Sequence, residues 1–126
     1  MAVSLDHVTV PTRDIDSSAR FLANILAVAV QPVAVQVGGP AEFLSLKLAE
    51  GRQVLFEHAE NFDSHHVAFR VSAEEFGALV DRIRATGIPF GNDLEKAKNK
   101  RVEDPQGGYG RVYFYDANGH FYEVWA

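Results

Sequence analysis

The chain contains no cysteine. That excludes disulfide bridges, thiolate metal sites and a nucleophilic thiol of the protein's own, so any metal must be held through nitrogen and oxygen. Long hydrophobic runs are missing as well. No stretch approaches the roughly 20 residues needed to cross a bilayer, and the opening MAVSLDHVTV lacks a basic start followed by a long apolar segment. A membrane is therefore not an expected partner, and a cytoplasmic protein is the expectation. Positive charge is scarce: 12 Lys and Arg stand against 17 Asp and Glu, a net charge of −5. The one basic run, EKAKNKR, is short, whereas a nucleic-acid surface needs a clustered excess of cations. Nucleic acid is not an expected partner either.

What is present is an ordinary globular composition, 47% hydrophobic and 23% charged in 126 residues. A chain of that size buries roughly two thirds of its unfolded surface, enough for one real core. A single domain over residues 1–126 is the expectation.

The segment LDHVTVP alternates, with His7 and Thr9 on one face and Val8 and Val10 on the other, and Pro11 is expected to end the strand. The period then changes. In RDIDSSARFLANILAV the apolar residues Ile15, Phe21, Leu22, Ile25 and Leu26 share a helical face, with Asp14 or Asp16 as N-cap. Three β-like segments follow, AVAVQPVAVQV, AEFLSLKLA and QVLFEHA, separated by the turn signals GGP and EGR. The same order then recurs from Ser64. The strand HVAFRV leads into the helix SAEEFGALVDRIRATG, opened by Ser72 with Glu75 three residues on and closed by Gly87. After it come IPFGND, a polar stretch to Gly110, RVYFYD, the turn ANG and HFYEVWA. The fold class expected is α+β: two tandem β-α-β-β-β modules, residues 1–60 and 64–126, whose curved mixed sheets enclose a shared cleft.

The repeat allows the halves to be laid over each other. DHVTV matches HHVAF, so His7 falls on His66, and His65 falls on Asp6. VLFEHA matches HFYEVWA, which sets Glu57 on Glu123. Alternate strand residues face opposite ways. His7, His66, Glu57 and Glu123 are thus the polar members of faces turned away from the helices, and His65 points the other way. Two imidazoles with one or two carboxylates suit Zn, Mn, Fe, Co or Ni, with positions left open for water or substrate. His65, His58 and His120 are expected to face solvent. Phe121 and Trp125 flank Glu123 by parity and line an apolar pocket there. Arg70 and Arg111 are either binders of a substrate anion or surface ion pairs. EKAKNKR reads as a solvated loop, Glu95 to Arg101.

With this repeat, the stretches LDHVTVPTRDIDSSARFL, SHHVAFRV and VYFYDANGHFYEVWA resemble the vicinal oxygen chelate superfamily, which includes glyoxalase I, bleomycin resistance proteins, fosfomycin resistance thiol transferases and extradiol dioxygenases. The resemblance implies a divalent metal ion as cofactor, bound by His7, His66 and Glu123 with Glu57 as a fourth ligand. It also implies a catalytic carboxylate, Glu57 or Glu123, as general base. A small-molecule substrate with adjacent oxygens would chelate the metal in a lyase, isomerase or dioxygenase reaction, and members often form homodimers. The threonine and serine cluster and potassium loop of the fosfomycin-type transferases are not seen, which disfavours that activity. The alternative is a metal-free protein that sequesters an aromatic or amphiphilic molecule, as bleomycin resistance proteins do.

Overall fold

A computed structural model describes residues 2–34 and 41–126. The turn GGP and the end of the segment before it lie outside the described residues. The chain divides into two compact units, Met1–Asp63 and Ser64–Ala126.

The first unit runs β1 (His7–Thr12), α1 (Ile15–Leu26), β2 (Val30–Ala34), β3 (Ala41–Lys47) and β4 (Gln53–His58), and its sheet has the order β1-β4-β3-β2. β1 pairs parallel with β4, and the other pairs are antiparallel. Pro11 lies inside β1 rather than ending it. The reason is positional: β1 is an edge strand, and only there does a residue without an N–H leave the ladder intact. Asp14 is the cap of α1, its carboxylate accepting the Ser17 N–H at 3.1 Å. Ala27 ends the helix in the left-handed region at φ 57°. Leu22 and Ile25 of α1 are fully buried with Val10, Leu46, Val54 and Phe56 of the sheet. Burying each of the larger side chains contributes about 1.5–3 kcal/mol. The helix-facing parity read from β1 and β4 therefore holds.

The second unit repeats the order: β5 (His66–Arg70), α2 (Ala73–Thr86), β6 (Phe90–Gly91), β7 (Arg111–Tyr115) and β8 (Phe121–Trp125), with strand order β5-β8-β7-β6. Ser72 caps α2 by accepting the Glu75 N–H at 3.2 Å and donating to the Glu75 carboxylate at 2.9 Å. Phe76, Leu79, Val80 and Ile83 form its buried stripe, as the spacing predicts. Between β7 and β8 the Asp116 carboxylate accepts the N–H groups of Asn118 and His120, each at 2.9 Å, and the Tyr122 hydroxyl at 3.1 Å. This locks the Asp-Ala-Asn-Gly turn, with Gly119 at φ 82°. Among the described residues, no helix is long and apolar enough to cross a membrane.

Residues 92–110 are not simply a solvated excursion. Asn92 and Asn99 bond each other, with Asn99 Nδ2 donating to Asn92 Oδ1 at 2.8 Å, and the Lys100 N–H returns to the Phe90 carbonyl at 2.9 Å. Ala97, from the middle of EKAKNKR, is buried with Tyr113 and Phe121. The loop thereby covers part of the sheet face that α2 does not.

Candidate functional site

Register in the second unit builds a compact polar face. β8 is flanked by β5 on one side and β7 on the other. His66, Phe121 and Tyr115 form one row across the three strands, Ala68, Glu123 and Tyr113 the next, and Arg70, Trp125 and Arg111 the third. Parity puts all nine on one side of the sheet. Val112, Phe114, Tyr122 and Val124, fully buried, occupy the other.

Glu123 is the centre of this face, and its carboxylate has a different partner on each oxygen. Oε1 lies 3.0 Å from His66 Nε2, and Oε2 lies 3.8 Å from Arg111 Nε. Since a carboxylate only accepts, His66 Nε2–H is the donor of the first contact. The His66 ring stands edge-on to Phe121 at 4.7 Å between centroids, and Phe121 stacks on Tyr113 at 5.2 Å with 14° between planes. Burial, and then the Glu123 carboxylate beside it, push the Tyr113 phenol above its ordinary range, so it stays a neutral donor at physiological pH. Trp125 carries the Arg70 guanidinium at 4.6 Å from its ring centroid and that of Arg111 at 4.7 Å.

The first unit is arranged differently. His7 Nδ1 is 2.7 Å from Asp6 Oδ2. A carboxylate at Nδ1 fixes the proton there and leaves the lone pair on Nε2. Register sets His7 opposite Gln53, whereas Glu57 stands opposite Pro11, four residues further along β4. At about 3.3 Å per residue that is roughly 13 Å along the strand, so the first unit does not bring His7 and Glu57 together as the second brings His66 and Glu123. The superposition that set Glu57 on Glu123 is offset by two residues. Ala68, two past His66, faces Glu123, and Thr9, two past His7, faces Leu55. Leu55 holds the carboxylate's position in the first unit, and Glu57 corresponds to Trp125. The slip preserved parity and therefore left no trace in the hydrophobic pattern.

His120, which the sequence pattern places toward solvent, is instead fully buried, and its Nδ1 accepts the His65 N–H at 2.9 Å. The tight Asp116 turn folds the ring inward under β5. His65 and His58 are exposed, as expected. Arg111 is likewise buried rather than a surface cation, lying 3.7 Å from Asp104 Oδ1 as well as beside Glu123. The repeat comparison does not reach Tyr113, although the alternation Arg111, Tyr113, Tyr115 along RVYFYD places it on the site face opposite Glu123.

The donor chemistry suits a divalent metal. An imidazole nitrogen and a carboxylate oxygen of the second unit converge and are joined by a single proton. Among the described residues, no three His, Asp or Glu side chains are gathered at one point.

FosX, a fosfomycin resistance protein of Listeria monocytogenes, is 27% identical over 134 aligned residues, spanning 100% of this chain and 91% of the relative. Among solved structures, the oxidase ChaP-H2 superposes with a TM-score of 0.84 at 30% identity, covering 98% of this chain and 93% of its own. The oxidase ChaP-H1 gives 0.82 at 31%, covering 98% and 94%. A fosfomycin resistance protein is thus a relative even though the transferase motifs are missing. The family model that matches, over residues 4–124 of 126, carries the resemblance into membership: the chain belongs to the Glyoxalase/Bleomycin resistance protein/Dioxygenase superfamily.

Proposed function

We propose that the protein is a single-domain, divalent-metal-dependent enzyme of the vicinal oxygen chelate type, with His7, His66 and Glu123 as the metal ligands. The observation that carries the reading is the convergence of His66 Nε2 and Glu123 Oε1 at 3.0 Å on adjacent register positions. FosX of Listeria monocytogenes, solved as a variant with Mn(II) and 1S,2S-dihydroxypropylphosphonic acid, lends a metal and an oxygen-rich small molecule to the same fold. Three protein ligands leave coordination positions for a substrate with adjacent oxygens. Bound there, the metal supplies Lewis-acid stabilisation of a developing oxyanion.

The protein's own residues divide the remaining work. His66 would bind a metal through Nε2 in the tautomer that carries its proton on Nδ1, and Asp6 keeps His7 in the tautomer that presents Nε2. Tyr113, neutral and next to Glu123, holds a proton at its hydroxyl for an oxygen of the substrate. Phe121 and Trp125 supply apolar walls, and Arg70, exposed and held over the indole, takes a substrate carboxylate or phosphonate. Glu57 stays outside the ligand set and is the second candidate base beside Glu123. Of the reaction classes, the oxidase relatives favour an oxygenase at least as much as a lyase or isomerase. A cytoplasmic homodimer is the proposed state.

Metal analysis of gently purified protein beside His7→Ala, His66→Ala and Glu123→Gln tests the reading. Near-stoichiometric divalent metal in the wild type, lost in all three variants, is the expected result. A wild type without metal that still binds aromatic ligands would instead make it a sequestering protein.

A further inference from the structure

We propose that Arg111 is a positioning residue for Glu123, resting on the metal-site reading above: it holds Oε2 so that Oε1 alone is presented beside His66. Arg111 is nine-tenths buried, and its Nε is buried with no hydrogen-bond partner. A buried donor left unpaired is costly, and the carboxylate oxygen beside it is Glu123 Oε2 at 3.8 Å. A sub-ångström approach of that oxygen makes the bond.

The guanidinium is itself well fixed. Trp125 lies against it at 4.7 Å, Gln106 Oε1 accepts from Nη2 at 3.3 Å, and Asp104 Oδ1 is 3.7 Å away. Asp104 has a nearly fully buried side chain that accepts the N–H groups of Gln106 at 2.8 Å and Gly108 at 3.0 Å. A Cβ on Gly108 would collide with that carboxylate, so the Asp104 side chain packs directly against the glycine backbone. The turn 104–108 thus acts on Glu123 through one planar cation. Lysine keeps the charge but has neither the planar fork nor the flat face that packs on an indole.

The test is Mn(II) titration, followed by the electron paramagnetic resonance signal of free Mn(II), on the full-length wild type, Arg111→Lys, Arg111→Met, Asp104→Asn and the surface control Arg84→Met. Positioning partners of metal ligands typically change affinity by about 10–100-fold. Arg111→Lys and Arg111→Met are both expected to weaken Mn(II) binding by that amount, Asp104→Asn in the same direction, and Arg84→Met not at all. A purely electrostatic role predicts otherwise: removing a cation tightens metal binding in Arg111→Met and leaves Arg111→Lys unchanged. Either of those results overturns the proposal. Melting temperatures of the metal-free variants identify any that fail to fold, in which case Arg111→Lys and Asp104→Asn decide. A wild type that binds no Mn(II) overturns this inference and the metal-site reading together, whereas a wild type that binds it no better than the Arg111 variants overturns this inference alone.

Discussion

Substituting Gly91 by alanine separates the covering role of the 92–110 loop from its appearance as a polar excursion. A Cβ at Gly91 would lie 2.5 Å from the Lys96 carbonyl oxygen, 2.7 Å from Asn99 Oδ1 and 2.8 Å from the Ala97 carbonyl carbon. Two of those neighbours are backbone. The third is a side chain pinned by the N–H groups of Asn92 at 3.2 Å and Arg101 at 2.9 Å. The loop must therefore move, and Ala97 must withdraw from Tyr113 and Phe121. Overpacking of this kind costs about 1–3 kcal/mol. Gly91 does not have a positive φ, so alanine also gains about 0.4–1 kcal/mol from the reduced freedom of the unfolded chain. The net expectation is a destabilisation of about 1–2 kcal/mol, a melting point lower by roughly 4–10 °C for a domain of this size. Gly77 is the internal comparison. It sits exposed within α2 with nothing within 4 Å of its would-be Cβ, and alanine there is expected to stabilise by about 0.5–1 kcal/mol. Urea unfolding followed by far-UV circular dichroism reads both. Should Gly91→Ala prove as stable as wild type while Gly77→Ala gains as expected, the loop does not pack on β6 and the covered face is wrong.

Two further substitutions probe the turn that supports the site. His120→Ala leaves the His65 N–H without its acceptor and a cavity at a fully buried position; a loss of about 2–4 kcal/mol is expected, with faster hydrogen exchange at the His65 amide, and unchanged exchange would refute the inward ring. Tyr122 is held well above the ordinary tyrosine range, first by burial and then by the Asp116 carboxylate. The folded state therefore keeps the phenol neutral while the unfolded chain ionises it above about pH 10. Its contribution is complete below that pH and declines as the pH rises beyond it. Tyr122→Phe is expected to cost about 0.5–1.5 kcal/mol at neutral pH and to shrink that deficit between pH 10 and 11, measured as the difference in urea midpoints. A deficit constant with pH would contradict the assignment.

The repeat and most of the local structure are legible in the sequence. Alternation in LDHVTV and HHVAFR, the capping signal of Ser72 with Glu75, and the stripe of Phe76, Leu79, Val80 and Ile83 all report short-range geometry, which period and chain chemistry encode directly, while the choice of Asp14 over Asp16 as the first helix cap came from the structure. They sufficed to choose His66 over His65, because parity alone separates neighbours on a strand. Long-range register is another matter. Whether Leu55 or Glu57 corresponds to Glu123 depends on how β1 pairs with β4 across more than forty residues, and a slip of two leaves every apolar residue on its proper face. The buried ring of His120 and the enclosed Arg111 also depend on distant partners, His65 and Glu123, that no local pattern names. Only the tertiary structure sets the two carboxylate oxygens of Glu123 between an imidazole and a guanidinium, because the three residues come from three strands that meet only when the sheet forms.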